Sequence, residues 1–209
     1  MGNSTMHHDL PVILLLAAGE GSRFGGAKQL APIIGEPMVR RMARMLLETG
    51  APVLVVTGAY ADEVEAVLDD LPLGLIRCED WQSGMGHSLA AGVRALVRAF
   101  PSASAVFVCL ADQPLLDLDM LNTMLQRHTQ ASERILITTQ HGTQGPPALF
   151  PRDCFDALAA LSGPQGARAI WQQDMSRVDL FESESLLDVD TAEDLQHVRW
   201  LLSRTKRTP

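Results

Sequence analysis

Leu16-Ala17-Ala18-Gly19-Glu20-Gly21-Ser22-Arg23-Phe24-Gly25-Gly26-Ala27-Lys28 is the stretch from which the rest of this chain can be read. It follows the apolar run Val12-Ile13-Leu14-Leu15-Leu16, short and continuous as a buried strand is. Four glycines and two cations directly after a first strand suit a polyphosphate. Glycine lets backbone N–H groups approach an anion closely, and Arg23 and Lys28 bring positive charge. Two well-known phosphate loops do not fit. The dinucleotide fingerprint G-x-G-x-x-G accommodates Gly19 and Gly21 but finds Phe24 at its third glycine. The P-loop G-x-x-x-x-G-K-[ST] accommodates Gly21 and Gly26, but Ala27 separates Gly26 from Lys28, and Gln29 follows.

Outward from this loop, apolar runs alternate with helical patterns. Strands are expected at Val12–Leu16, Val53–Thr57, 73–77, Ala105–Leu110 and 134–138. Helices are expected at 37–48, 62–69, 86–100 and Leu118–Gln130. In the third, Leu89, Val93, Leu96, Val97 and Phe100 share one face at helical spacing. This alternation predicts an α/β fold of three layers, a mostly parallel central sheet with helices on both faces. After Gln140 the rhythm breaks into a loop-rich segment holding Gly142, Gly145, Pro146, Pro147, Gly163, Pro164 and Gly166, of the kind that shapes an acceptor pocket. A last helix is expected over 192–202, with Thr191 as N-cap, Glu193 and Asp194 in its first turn, and Leu195, Val198 and Leu202 facing the core.

The 209 residues suffice for one large domain, expected over 10–203, with a disordered tail at 1–9 and a C-terminal tail at 204–209. The first nine residues lack the charged and apolar regions of a signal peptide. The longest apolar run, from Val12 to Ala18, is too short to span a bilayer, so no membrane partner is expected. A net charge of −8 argues against duplex DNA or other nucleic acid as partner. Cys78, Cys109 and Cys154 share no metal-like spacing and are expected as buried thiols in a reducing, cytoplasmic compartment.

Three further stretches carry chemistry. Ala111-Asp112-Gln113-Pro114 follows the strand Ala105–Leu110. Ligands of open α/β sheets bind at the carboxyl ends of strands, so Asp112 would face the glycine-rich loop if the two strands are neighbours. A carboxylate beside a triphosphate is a natural Mg²⁺ ligand. In Asp188-Val189-Asp190-Thr191-Ala192-Glu193-Asp194, strand spacing would point Asp188 and Asp190 to one side, where they could complete a metal site with Asp112. Glu193 and Asp194 instead complement the helix dipole. In Trp81-Gln82-Ser83-Gly84-Met85-Gly86-His87-Ser88-Leu89, Ser88 opens a helix either as its N-cap or as a hydroxyl that reads a base edge. His87 is either a base or a structural histidine. Arg168 is either a contact for an acceptor phosphate or a surface arginine.

Taken in order, these motifs resemble the molybdenum cofactor cytidylyltransferases, within the nucleotidyltransferase superfamily with a Rossmann-like fold. The shared pattern runs from Leu16 to Leu195: A-A-G-x-G-x-R-x-G-x-x-K at 17–28, then Leu30 and Pro32, W-x-x-G-M-x-x-S-L at 81–89, A-D-Q-P at 111–114, G-x-P near 145–147, G-x-x-G-A-R at 163–168 and D-x-D-T-x-E-D at 188–194. The resemblance implies CTP and molybdopterin, with or without bound molybdenum, as substrates, and a cytosine dinucleotide and pyrophosphate as products. A molybdenum hydroxylase is the implied recipient. It implies nucleotide contacts from Ala17, Ala18, Gly19, Gly21, Ser22 and Ser88, and phosphate ligation by Arg23 and Lys28. Mg²⁺ would lie on Asp112 and Asp190, with Arg23, Lys28 and Asp112 as catalytic residues. The acceptor would meet Gly145, Pro146, Arg168 and Asp188. Guanylyl relatives usually read A-G-G where this chain has Ala17-Ala18-Gly19, which favours CTP over GTP. Pro164 and His87 depart from the family's Asp and Ser and leave the acceptor open. A sugar or alditol phosphate acceptor, or a non-catalytic cofactor-delivery chaperone, are the competing readings, with a nicotinamide oxidoreductase a distant third.

Overall fold

The structure, a computed structural model, describes residues 10–183 and 186–205. The expected tail at 1–9 and positions 206–209 lie outside the described residues. The strands are β1 (Val12–Leu16), β2 (Pro32–Ile33), β3 (Glu36–Pro37), β4 (Val53–Thr57), β5 (Gly74–Arg77), β6 (Ala105–Leu110), β7 (Ile135–Gln140), β8 (Thr143–Pro151) and β9 (Val178–Glu182). The helices are α1 (Met38–Leu47), α2 (Ala61–Ala66), α3 (Met85–Ala99), α4 (Leu118–Gln130), α5 (Phe155–Ala159), α6 (Arg168–Gln173) and α7 (Ala192–Thr205). Helix α7 thus runs two residues into the stretch read as a tail.

Among the described residues, seven strands form one sheet in the order β5-β4-β1-β6-β8-β7-β9, and β2 pairs with β3 as a small ribbon. Only β8 runs against its neighbours; β1, β4, β5, β6, β7 and β9 are parallel. Every residue of β1 and β4 is buried. That is why both read as unbroken apolar runs: strands covered on both faces have no polar side to show. One face packs Leu14, Val56, Leu89, Val93, Leu96 and Phe150 under α3, α5 and α6. The other packs Ile13, Leu15, Val39, Met42, Leu46, Phe107 and Leu121 under α1 and α4. Val97, expected on the core face of α3, is exposed instead. The helix meets the sheet through a narrower stripe, and Gly92 sets how close it comes. A Cβ there would lie 2.6 Å from Leu14 Cδ2 and 2.8 Å from Val56 Cγ2.

The segment expected to be loop-rich contains β8, wedged antiparallel between β6 and β7. Gly and Pro suggest a break, but here the ladder slips between Ile137 and Thr138, passing from Ala148 to Gly145 and leaving Pro146 and Pro147 out of the pairing. Proline has no N–H to donate, so a bulge is where a central strand can hold it. Thr138 Oγ1 donates to the Gly145 carbonyl at 2.8 Å and closes the gap. Strand β9 is fastened by charge: Asp179 accepts from Arg134 Nε at 2.9 Å and from Arg127 Nε at 2.8 Å. Burial opposes the charge of Asp179, but these guanidinium groups outweigh it and hold the carboxyl below the usual carboxylate range.

A third apolar cluster, Ile33, Met38, Val189, Leu195 and Val198, seats α7 against the β2–β3 ribbon. Its start is a reciprocal cap. Thr191 Oγ1 accepts from Asp194 N at 3.2 Å, and Asp194 Oδ2 accepts from Thr191 N at 2.8 Å. The three cysteines are buried and free. Burial pushes the Cys109 thiol up, and burial with the adjoining Asp153 charge pushes Cys154 up to about 11. Neither is a nucleophile at neutral pH. No helix among the described residues is long and apolar enough to cross a membrane.

Gly92→Ala should destabilise the fold by about 1–3 kcal/mol, because the methyl must displace fully buried Leu14 and Val56; urea unfolding measures it. Asp179→Asn should cost about 1–3 kcal/mol at neutral pH, the loss expected for hydrogen bonds to a charged group. The lowered carboxyl value fixes the sign of the pH dependence. The difference between wild type and variant should be full above about pH 4 and shrink as pH falls through the folded-state value.

Candidate active site

Chain direction turns around between β1 and β6. From β1 the chain winds outward through β4 to β5, then crosses back to place β6 on the other side of β1. The crevice at such a switch point is where open α/β sheets bind ligands. A cavity of about 410 Å³ opens there. Ala17, Ala18, Gly19, Gly21, Ser22, Arg23, Lys28, Ser88, Asp112, Asp188 and Asp190 all line it.

Beyond β1 the backbone stays tied to the sheet, with Ala17 N donating to Val56 O and Ala18 O accepting from Ala59 N. The glycine-rich loop then folds on one carbonyl: Gly21 O accepts from Phe24 N at 2.9 Å and from Gly25 N at 3.0 Å. Gly21 has φ +67°, and a Cβ on it would lie 2.3 Å from Gly26 O, so only glycine serves. A short 3-10 turn, Lys28–Leu30, ends the loop. Within it, buried Gln29 donates from Nε2 to the carbonyls of Ala17 and Gly19, locking loop to strand. Gln29 was noted in the sequence only as a mismatch to the P-loop; a local pattern does not show which carbonyls a buried amide will meet.

The Lys28 ammonium lies between two carboxylates, donating to Asp112 Oδ2 at 2.7 Å and to Asp190 Oδ1 at 2.9 Å. Arg23, whose side chain is 75% exposed, reaches Asp190 Oδ2 at 2.9 Å from the lip. Burial alone would lower the Lys28 pKa, but Asp112 and Asp190 raise it, so the ammonium keeps its proton. Asp112 follows β6, where Ala111 N donates to Leu16 O and holds the two strand ends together. The carbonyl of Asp112 accepts from Val189 N at 2.8 Å, drawing in the acidic segment. That segment is not a strand as expected, yet Asp188 and Asp190 do face the same cavity. The reason is Val189, fully buried in the cluster under α7, which forces its two neighbours outward. Asp188 accepts from Gln113 Nε2 at 3.0 Å, and the same amide donates to Pro146 O at 3.1 Å. Burial, then the Asp112 charge, pushes the Asp188 carboxyl above its usual range.

Three carboxylates thus face two cations. Asp112 Oδ1 is buried and has no hydrogen-bond partner among the described residues. No cluster of three or more carboxylates, thiols or imidazoles among them is arranged as a ready-made metal cage.

On the far wall, α3 begins one residue before the expected 86, and Gly84 is its N-cap. Ser88 is therefore the fourth helical residue and not a cap; it is buried and lines the cavity. His87 is structural. Its Nδ1 accepts from Gly163 N at 3.0 Å, while Gly86 N donates to Gly163 O at 3.0 Å. The first turn of α3 and a loop far away in sequence are zipped by this pair. Trp81 and Met85 also line the cavity. Gly145, Pro146 and Arg168 do not; they line a smaller adjoining cavity of about 160 Å³ that shares Leu16 and Met85 with the first.

Comparison with known proteins shows the family. Residues 13–178 match the MobA-like NTP transferase domain. The chain is 33% identical to Nicotine blue oxidoreductase of Paenarthrobacter nicotinovorans, over 91% of this chain and 95% of that protein. It is 30% identical to Purine catabolism protein PucB of Bacillus subtilis, over 91% and 96%. Rv0371c of Mycobacterium tuberculosis, whose structures include a complex with manganese, superposes with a TM-score of 0.75 at 25% identity, covering 91% of this chain and 98% of that one. With a glycine-rich loop at the end of β1 facing an acidic pocket at the end of β6, and a family match over residues 13–178, this chain belongs to the MobA-like NTP transferases.

Proposed function

We propose that this chain transfers CMP from CTP to the phosphate of molybdopterin, giving molybdopterin cytosine dinucleotide and pyrophosphate. The observation that carries the reading is the Lys28 ammonium held between Asp112 and Asp190 across the β1–β6 crevice. In the reaction an oxygen of the acceptor phosphate attacks the α-phosphorus of CTP in line, a new P–O bond forms, and the bond to the β-phosphate oxygen breaks. Two anions must meet, so most of the catalytic work is positioning and charge compensation. Lys28 supplies a buried positive charge beside the phosphates, and Arg23 reaches in from the lip. The Gly19–Gly26 backbone holds the triphosphate arm, and Trp81, Ala18 and Ser88 bound the base. Ala17-Ala18-Gly19 favours cytosine over guanine.

The residues fit a Mg²⁺ ion. Asp112 Oδ1 is a buried acceptor with no partner among the described residues, and Asp190 is the neighbouring carboxylate. Mg²⁺ is commonly held by one or two carboxylates together with phosphate oxygens. When bound, the ion neutralises charge on the phosphates and on departing pyrophosphate. No general base is required, because the attacking phosphate is already ionised. On this reading the reaction belongs in the cytoplasm, with a molybdenum hydroxylase as the recipient of its product.

The name of the relative from Paenarthrobacter favours a second reading, oxidoreduction in the same pocket. Phe24, standing where the dinucleotide fingerprint has its third glycine, weighs against it.

Purified protein given CTP, Mg²⁺ and molybdopterin should release pyrophosphate, faster than with GTP. A preference for GTP removes the cytidylyl assignment. Absence of release, together with oxidation of a reduced nicotinamide dinucleotide, replaces the transferase with the oxidoreductase. Asp112→Asn should lower kcat by about 10²–10³ with the fold intact by circular dichroism. Lys28→Ala should lower kcat/KM for CTP, and should also destabilise the protein by about 1–3 kcal/mol, because it leaves the half-buried Asp112 carboxylate without its hydrogen-bonding cation. An unchanged kcat/KM in that variant would remove Lys28 from the phosphate site.

A further inference from the structure

Away from the nucleotide pocket, a groove of about 470 Å³ runs beside α1. Arg41, Met45 and Glu48 line it, and their spacing puts them on one stripe of the helix. The charges on this stripe run the wrong way for a helix standing alone. A helix favours anions at its start and cations at its end. Here Arg41 closes the first turn, and Glu48 is the C-cap. The neighbouring arginines are accounted for: Arg40 pairs with Asp70, and Arg44 with Glu36. The side chains of Arg41 and Glu48 have no hydrogen bond or ion pair among the described residues. Ile34 borders the same groove and breaks a second local rule. It is 42% exposed and has φ +49°, in the two-residue turn with Gly35 that joins β2 to β3. Asparagine or glycine suits such a turn, and a β-branched residue with positive φ is strained. An acid, a base and an apolar tip, each placed against its local preference, point to something outside the fold.

We propose that this face is the contact between two copies of the chain, related by a two-fold axis that crosses α1 between Arg44 and Met45. The argument for a second copy is charge complementarity under that symmetry. A two-fold contact sets one patch against itself. With the two α1 helices antiparallel, and the axis midway between positions 41 and 48, Arg41 of one copy falls opposite Glu48 of the other, twice over. Seven residues span about 10 Å of helix, so both pairs fit within a single helix crossing. A parallel pairing would set Arg41 on Arg41 and Glu48 on Glu48. A different partner would need its own acid and base at matching places; a second copy brings both. Exposed ion pairs add little affinity but fix orientation and register. Met45, Ile34 and Leu118 supply the apolar surface. Pro114, two residues after Asp112, lines the same groove, so the contact adjoins the turn that carries this carboxylate.

Sedimentation velocity of the full chain, from about 1 to 100 µM, tests this over the range of a small, transient interface. Wild type should pass from monomer to dimer as concentration rises. Arg41→Glu sets acid against acid, and Glu48→Arg sets base against base; each should weaken association about tenfold or more. The double variant R41E/E48R restores both pairs with their signs exchanged, and should return association to within a few-fold of wild type. That rescue separates a lost contact from a lost fold. Ile34→Asn removes the apolar tip and suits the turn, so it should weaken the dimer without lowering the melting temperature of the monomer. Wild type that stays monomeric across the range overturns the proposal. A dimer indifferent to both single reversals also overturns it, as does one that the double variant fails to restore.

Discussion

A lysine ammonium held between two aspartates is the constraint around which this molecule is arranged. Lys28 is 84 positions from Asp112 and 162 from Asp190 in sequence. Bringing the three together requires β1 and β6 to be neighbours, the glycine-rich loop to fold back over its own strand, and the chain's last third to return to where it began. Each requirement has its own device. Ala111 N on Leu16 O joins the strand ends, Gln29 fastens the loop, and Val189 N on Asp112 O brings the acidic segment home.

Around that charge cluster the protein divides its work by layer. The sheet, closed on both faces by apolar packing, supplies rigidity and contributes no side-chain chemistry except at strand ends. Polar groups are gathered at the carboxyl edge, where loops can be shaped without exposing the core. The smaller cavity sits between these regimes, walled by the core face yet open to the polar pocket, and β8 forms one of its walls. Its bulge at Pro146 and Pro147 gives the Gln113 amide a carbonyl to hold, so an irregularity in the sheet is also a support for Asp188.

Much of this was legible in the sequence because parallel strands buried on both sides announce themselves. Val12–Leu16, Val53–Thr57 and Ala105–Leu110 appear with the bounds expected of them. The loop at 17–28 was legible because anion-binding turns leave glycines at fixed places. What escaped had physical causes. Strand β8 hid behind residues that normally end strands, and β9 is short, with its burial spread unevenly along Val178–Glu182. Val97 followed the helical period yet lies outside the stripe that Gly92's close approach permits. The roles of Gln29 and Gln113 depend on which distant atoms stand opposite them, and no local spacing encodes that. Asp188 and Asp190 were placed together for a reason that turned out to be different: a buried valine between them, not a strand.

The zipper between His87 and Gly163 reaches further than local tidiness. One of its halves belongs to the helix start that borders the larger pocket; the other belongs to the turn that leads into α6, which carries Arg168 and Trp171. The two compartments therefore share a border, fixed by one pair of hydrogen bonds, and whatever shifts that turn shifts both walls together.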